Sequence, residues 1–399
     1  MTSEAPKPDL RGVRVLVLFG GAYLFGQERA NLEVFRSLAE LGLEARFITH
    51  RKLGSREIQP ELDRLGFSWT TAPFGYHWTK KMPGVHFGYF LLNLYGEFAN
   101  SWRVWREVKR WRPTHLYVIH WEIFSLAMPA LLWVPLPLVF RAGDEPALHT
   151  AFHRWLMRCL TRRTSHMVCI SKFIYERYVC AGMAREKMTV IYNYPPERAG
   201  TAPPELPQIP EEALVVTYVG QISEHKGVLV LIEAVERMIQ QGRNIVLWMV
   251  GEIGWGSPLL ETLKERVAAA KLQDRIYFFG YVQNVFPILA RSDIHVCPSL
   301  FAEPLSNVVG EAKLCGKPSV VFSSGGLPEL IEHGVDGYVC REPSAEALME
   351  GIAYFLADEA RRVAAGTAAR KSLAEKFGRE NYQRAWAQVF LKTKTSRHD

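Results

Sequence analysis

A chain of 399 residues, 48% hydrophobic and 22% charged, has room for two or three packed domains and excludes a disordered or fibrous protein. Its net charge of +7 is uneven: residues 1–198 hold 27 Lys and Arg against 17 Asp and Glu, and the remainder holds 21 against 24. A basic first half suits anionic lipid or phosphorylated small molecules, and the lack of zinc-finger, basic-zipper or RNA-binding aromatic signatures argues against nucleic acid.

Met1 to Asp9 is polar and lacks the apolar core, roughly 7 to 15 residues, of a signal peptide, so a cytoplasmic location is expected. The strand Val13 to Phe19, a Gly-rich turn (Gly20, Gly21, Gly26) and a helix from about Glu28 to Leu41 open the first half. Leu32, Val34, Phe35, Leu38 and Leu41 supply the helix's apolar face, and Gly42 closes it. Strands follow at Ala45 to Thr49, Leu116 to His120, Leu138 to Arg141, Met167 to Ile170 and Thr189 to Tyr192, with helices at Ala99 to Arg110 and Thr150 to Arg163. The apolar run Met128 to Phe140 is interrupted by Pro129, Pro135 and Pro137 and falls short of the roughly 20 residues that span a bilayer, so it reads as buried helix and strand.

Six prolines crowd Pro195 to Pro210, where hydrophobic periodicity stops. The strand and helix alternation then restarts: strands at Leu214 to Val219, Ile245 to Val250, Arg275 to Phe279, Ile294 to Pro298 and Ser319 to Phe322. Helices fall at Val228 to Gln240, Leu259 to Lys271, Val285 to Ala290 and Asn307 to Cys315, with two more between Ala345 and Phe377. Such alternation predicts an α/β protein of two doubly wound parallel-sheet domains. The expected divisions are a first domain 1–198, a linker 199–212, a second domain 213–377, and a last helix within 378–399 that crosses back to the first domain.

Ligands in such sheets bind outside the carboxyl ends of the strands. The loop after Ile294 to Pro298 places Glu303 before a helix and Glu311 within its first turns, while the N–H groups of Ser306, Asn307 and Val308 form an anion site. A nucleotide sugar fits that layout: amides for the pyrophosphate, one carboxylate for ribose and one for the sugar, with no metal needed. Two ordinary exposed acids flanking a helix start are the plainer reading. Lys226, at a loop-to-helix junction, opposes the helix dipole unless an anion is near. The six cysteines form no CxxC pair and the twelve histidines no HExxH, so reduced thiols and no protein-held metal are expected.

Glu303 and Glu311 with seven residues between them, Ala312-Lys-Leu-Cys-Gly316-Lys-Pro318, and Gly325-Gly326-Leu-Pro328-Glu329 together resemble the family 4 retaining glycosyltransferases of the GT-B fold, glycosyl transferases group 1. Val219-Gly220 with Lys226-Gly227, Asp293 with Pro298-Ser299, and Gly334-Val-Asp-Gly337 extend the resemblance over Leu214 to Cys340. It implies two Rossmann-like domains facing across a cleft, a nucleoside-diphosphate sugar as donor (UDP favoured, GDP as the alternative) and a saccharide or lipid-linked acceptor. By the same resemblance Glu311 holds ribose, Glu303 touches the transferred sugar, Ser306, Asn307 and Val308 surround sugar and phosphate, and Lys226 neutralises the diphosphate. Gln221 departs from the pattern, because many members carry Arg after the glycine equivalent to Gly220. Gly26-Gln-Glu-Arg29 is similar to the family's Gly-Gly-x-Glu-Arg loop, and His120 to a histidine near sugar and acceptor; a structural turn glycine and a structural strand-end histidine are the alternatives.

Aromatics alternate with cations at Trp78, Lys80 and Lys81 and again at Trp102-Arg103-Val-Trp105-Arg106 and Lys109 to Arg112. Either this is an acceptor or peripheral anionic-membrane surface, or Trp102 and Trp105 pack into the core with solvated arginines. Retaining sugar transfer is the leading function; a sugar-nucleotide epimerase or phosphorylase of the same fold, or a non-catalytic nucleotide-sugar-binding protein, are the alternatives.

Overall fold

The computed structural model describes residues 7–20, 24, 26–51, 57–74, 87–195, 205–252 and 258–395. Two units make up the chain, Met1–Asn193 with Arg379–Asp399, and Tyr194–Gly378. The first contains seven parallel strands: β1 (Arg14–Phe19), β2 (Glu44–His50), β3 (Ser68–Ala72), β4 (His115–Val118), β5 (Leu138–Ala142), β6 (His166–Cys169) and β7 (Met188–Val190). Their order is β3-β2-β1-β4-β5-β6-β7, with Val17 beside Phe47 and Tyr117 in register. The second has β8 (Leu214–Val219), β9 (Ile245–Val250), β10 (Ile276–Gly280), β11 (Ile294–Cys297), β12 (Ser319–Phe322) and β13 (Gly337–Cys340), ordered β10-β9-β8-β11-β12-β13.

Strands covered on both faces by helices must be apolar on both faces, which is why β9 is an unbroken apolar run and β8 is interrupted only by the buried Thr217, whose hydroxyl pairs with Ser292 Oγ. On β9, Ile245, Leu247 and Met249 join one buried layer while Val246, Trp248 and Val250 join the other. The first unit's core closes on Phe35, whose ring meets Phe47 at 5.4 Å and Tyr117 at 4.9 Å. The last helix, Arg379–Thr395, belongs to this unit: Gln383 Nε2 donates to the Ser37 carbonyl at 2.9 Å, and Trp386 and Phe390 are fully buried beside Tyr117 and His115.

In each unit the strand order reverses beside the first strand, between β1 and β4 and between β8 and β11. These switch points are where loops diverge and leave a crevice. The loops of interest follow those four strands.

Candidate functional site

In the second unit, glycines let the loops at the switch point touch backbone to backbone. Gly251, at φ +139°, lies so close to the Gly220 carbonyl that a Cβ would sit 1.8 Å from its oxygen. Gly227, at φ +74°, likewise lies against the Pro298 carbonyl, where a Cβ would be 1.9 Å away. This contact joins the loop after β8 to the loop after β11, and the Leu300 N–H donates to the His225 carbonyl across it at 2.9 Å.

Lys226 and Glu303 are thereby brought together. Lys226 Nζ donates to Glu303 Oε2 at 2.6 Å, Ser299 Oγ donates to the same oxygen at 2.9 Å, and the ammonium lies 4.7 Å from the centroid of the Phe301 ring. The Gly326 N–H donates to the Glu303 carbonyl at 2.7 Å, tying in the loop after β12. Sequence reasoning gave Lys226 and Glu303 separate duties; the fold makes them a mostly buried ion pair. Ser299 was missed as a partner, although it stands four residues before Glu303 in the same loop.

The following helix runs Asn307–Leu314, with Ser306 as N-cap making no side-chain capping bond. Ser306 Oγ instead accepts from the Cys297 thiol at 3.7 Å, and burial pushes that thiol's pKa up to about 11. Val308 lies in the first turn, and Glu311 is buried one turn further on. Gln221 is exposed beyond Gly220, its carbonyl accepting from Tyr218 Oη at 2.6 Å.

The first unit has its own cluster at the β1/β4 reversal. Gly26 begins the helix Gly26–Ala39, and Gln27 Nε2 donates to the Ile119 carbonyl at 3.3 Å. His120 does not end a strand, as expected, but caps the helix Trp121–Leu126, its Nδ1 accepting from the Glu122 N–H at 3.3 Å. Its Nε2 lies 3.2 Å from Asp144 Oδ2 in the loop after β5. Burial pushes the imidazole's pKa down, and the carboxylates of Asp144, Glu122 and Glu28 overcome it, leaving the value above the ordinary 6.5. Asp144 was missed; the signal available was its place just past a strand's carboxyl end, in Ala142-Gly143-Asp144.

Arg103 and Arg106 are on the 25-residue helix Phe87–Trp111. Trp78, Lys80 and Lys81 lie outside the described residues. Among the described residues no group of three or more His, Cys, Asp or Glu is placed to hold a metal ion. Of the six free cysteines, five are buried or half-buried and Cys180 is exposed.

The two-unit fold matches that of the GT-B glycosyltransferases. The crystal structure of Anabaena HepE in complex with UDP aligns with a TM-score of 0.76 at 18% identity, over 95% of this chain and 100% of that one. A family model described as "Glycosyl transferases group 1" matches residues 204–372, and one described as "Glycosyl transferase 4-like domain" matches residues 25–194. The chain therefore belongs to the family 4 glycosyltransferases. Among curated relatives, a lipopolysaccharide core biosynthesis glycosyltransferase of Rhizobium meliloti, LpsD, is 26% identical over 79% of this chain and 87% of its own length. The 2-deoxystreptamine glucosyltransferase of Streptomyces kanamyceticus is 25% identical over 87% of this chain and 94% of its own.

Proposed function

We propose that this glycosyltransferase moves a sugar from a nucleoside-diphosphate sugar, UDP being the favoured nucleotide, to a hydroxyl of an anionic saccharide or lipid-linked acceptor. It does so in the cytoplasm, with retention at the anomeric carbon and without a metal ion, in the making of cell-surface glycan or glycoconjugate. The observation that carries this reading is the Lys226–Glu303–Ser299 cluster at the β8/β11 reversal, one loop from a helix N-terminus. HepE's complex with UDP and the lipopolysaccharide role in LpsD's name support the donor and the acceptor class.

In this reading a bound diphosphate competes with Glu303 for the Lys226 ammonium. The carboxylate, still held by Ser299, then turns to the sugar hydroxyls. As the glycosidic bond to the diphosphate breaks, negative charge grows on the leaving oxygens, where Lys226 and the positive end of the helix Asn307–Leu314 stabilise it. Ser306, Asn307 and Val308 offer that helix end, Gly220 lets backbone approach, and neutral Gln221 adds no second cation. Glu311 takes the ribose hydroxyls. Gly26 and His120, in the first unit, are carried over from the family resemblance as sugar- and acceptor-contacting residues.

The test is release of nucleoside diphosphate that depends on added acceptor, with and without EDTA, and NMR of the product's anomeric centre. Persistence in EDTA and an unchanged anomeric configuration are expected; loss restored by magnesium or manganese, or inversion, overturns the corresponding part. Lys226→Ala should lower kcat on the order of a hundredfold or more. Glu311→Ala should weaken donor binding in calorimetry by about 1.5–3 kcal/mol. Unchanged values in the two variants remove those assignments.

A further inference from the structure

On the helix Phe87–Trp111 the buried side sets polar groups around Val104: Asn100 accepts from the Phe74 N–H at 2.9 Å and donates to the Leu126 carbonyl at 2.9 Å, and Ser101 Oγ accepts from the Ala130 N–H at 3.2 Å. Glu107, also buried, accepts from Arg46 Nε at 2.9 Å. Its outer side is aromatic instead. Tyr95, Phe98, Trp102 and Trp105 are 69%, 67%, 54% and 52% exposed. Spaced by three and four residues, they form one stripe about 15 Å long.

Cations border the stripe. Arg103, Arg106 and Arg110 fall together on one flank at helical spacing, and Lys109 continues the stripe itself. The Arg106 guanidinium lies 4.8 Å from the Trp102 ring centroid, and Lys109 Nζ lies 5.8 Å from that of Trp105. Of the two acids beside the stripe, Glu107 is buried and Glu97 is half-buried. Packing into the core, the alternative open to the sequence for Trp102 and Trp105, is therefore not what the fold does with them.

We propose that this stripe is a docking surface for an anionic bilayer, with the aromatic rings at the headgroup level and Arg103, Arg106, Lys109 and Arg110 on lipid phosphates. Among the described residues no helix is long and apolar enough to cross a membrane, so the contact is peripheral. Rings that bury an apolar body while their polar edge stays wet suit the headgroup boundary. Cations interleaved with them choose an anionic surface over a neutral one. A second copy of the chain is a poorer occupant, because an isologous contact along this helix would set the same cations against each other. The inference does not depend on which sugar or acceptor the enzyme uses.

The full chain is co-sedimented with vesicles of phosphatidylcholine alone and of phosphatidylcholine with phosphatidylglycerol, across a salt series. Partition onto the anionic vesicles only, weakened by salt, is expected. Trp102→Ala with Trp105→Ala, and separately Lys109→Gln with Arg110→Gln, should each lower it on the order of tenfold, with thermal melting unchanged because these four residues are exposed. Indifference to lipid charge, or partition unchanged in both variants, overturns the proposal. So does a stripe-dependent dimer in analytical ultracentrifugation without lipid, since a second copy then covers the surface.

Discussion

His120 takes its charge state from loops that the sequence keeps apart: Glu122 is two residues away, Asp144 more than twenty, and Glu28 lies far upstream. A histidine whose folded pKa is raised adds stability that is fully present below the unfolded value of 6.5 and is lost as pH rises through the folded value. Asp144→Asn removes the nearest carboxylate and should move the His120 titration, followed by NMR of the imidazole, to lower pH. An unmoved titration would show that Asp144 does not set this charge. Lys226 and Glu303 could be singled out in the sequence because each stands in a string whose spacing resembles the family's. Asp144 and Ser299 were not, since a lone acid or serine in a loop acquires meaning only from what the fold sets beside it.

Helix Asn307–Leu314 is anchored by a buried group the sequence did not advertise. Lys313 Nζ donates to Asp336 Oδ2 at 2.5 Å and to Ser372 Oγ at 2.9 Å, Ser372 donates to Asp336 at 2.7 Å, and Asp336 Oδ1 accepts from the Glu332 N–H at 2.8 Å. The network ties this helix to the loop before β13 and to the helix Glu359–Phe377. Removing one member of a buried ion pair strands the other. Lys313→Ala should therefore cost about 3–5 kcal/mol in urea unfolding, and Lys313→Met with Asp336→Leu should recover much of it. A single-variant loss below about 1 kcal/mol would mean that water reaches Asp336. The strands β8 and β9 and the helix Val228–Gln240, whose buried faces are almost wholly apolar, end where the sequence placed them. The short strands β3 and β13 went unpredicted, because an edge strand such as Ser68-Trp-Thr-Thr-Ala72 carries polar residues on faces that need no cover. Which side of Phe87–Trp111 faces inward was invisible for a related reason: amphipathic spacing tells which residues share a face, and only the partners at Phe74, Leu126, Ala130 and Arg46 show which face is inside.

At the scale of the molecule, the restart of the strand and helix pattern after the prolines made two sheets legible, while the division itself falls at Asn193–Tyr194, at the edge of the Pro-rich stretch. The helix Arg379–Thr395 supplies Trp386 and Phe390 to the first unit's core and Gln383 to the Ser37 carbonyl. A chain cut after Gly378 should keep the second unit's thermal transition and lose cooperative unfolding of the first, read by calorimetry. A first transition intact in the truncated chain would show the helix to be an accessory.

This arrangement inverts the usual order in which a ribosome delivers finished domains. Chains emerge at roughly 5–20 residues per second and domains ordinarily complete from the N-terminus onward. Here residues 194–378 can finish their sheet first, while the earlier-made sheet waits with Tyr117 and His115 uncovered until Trp386 and Phe390 arrive. For about ten to forty seconds the first unit is a nascent surface that chaperones can bind, so its yield in the cell should respond to the pace of translation more than the second unit's does.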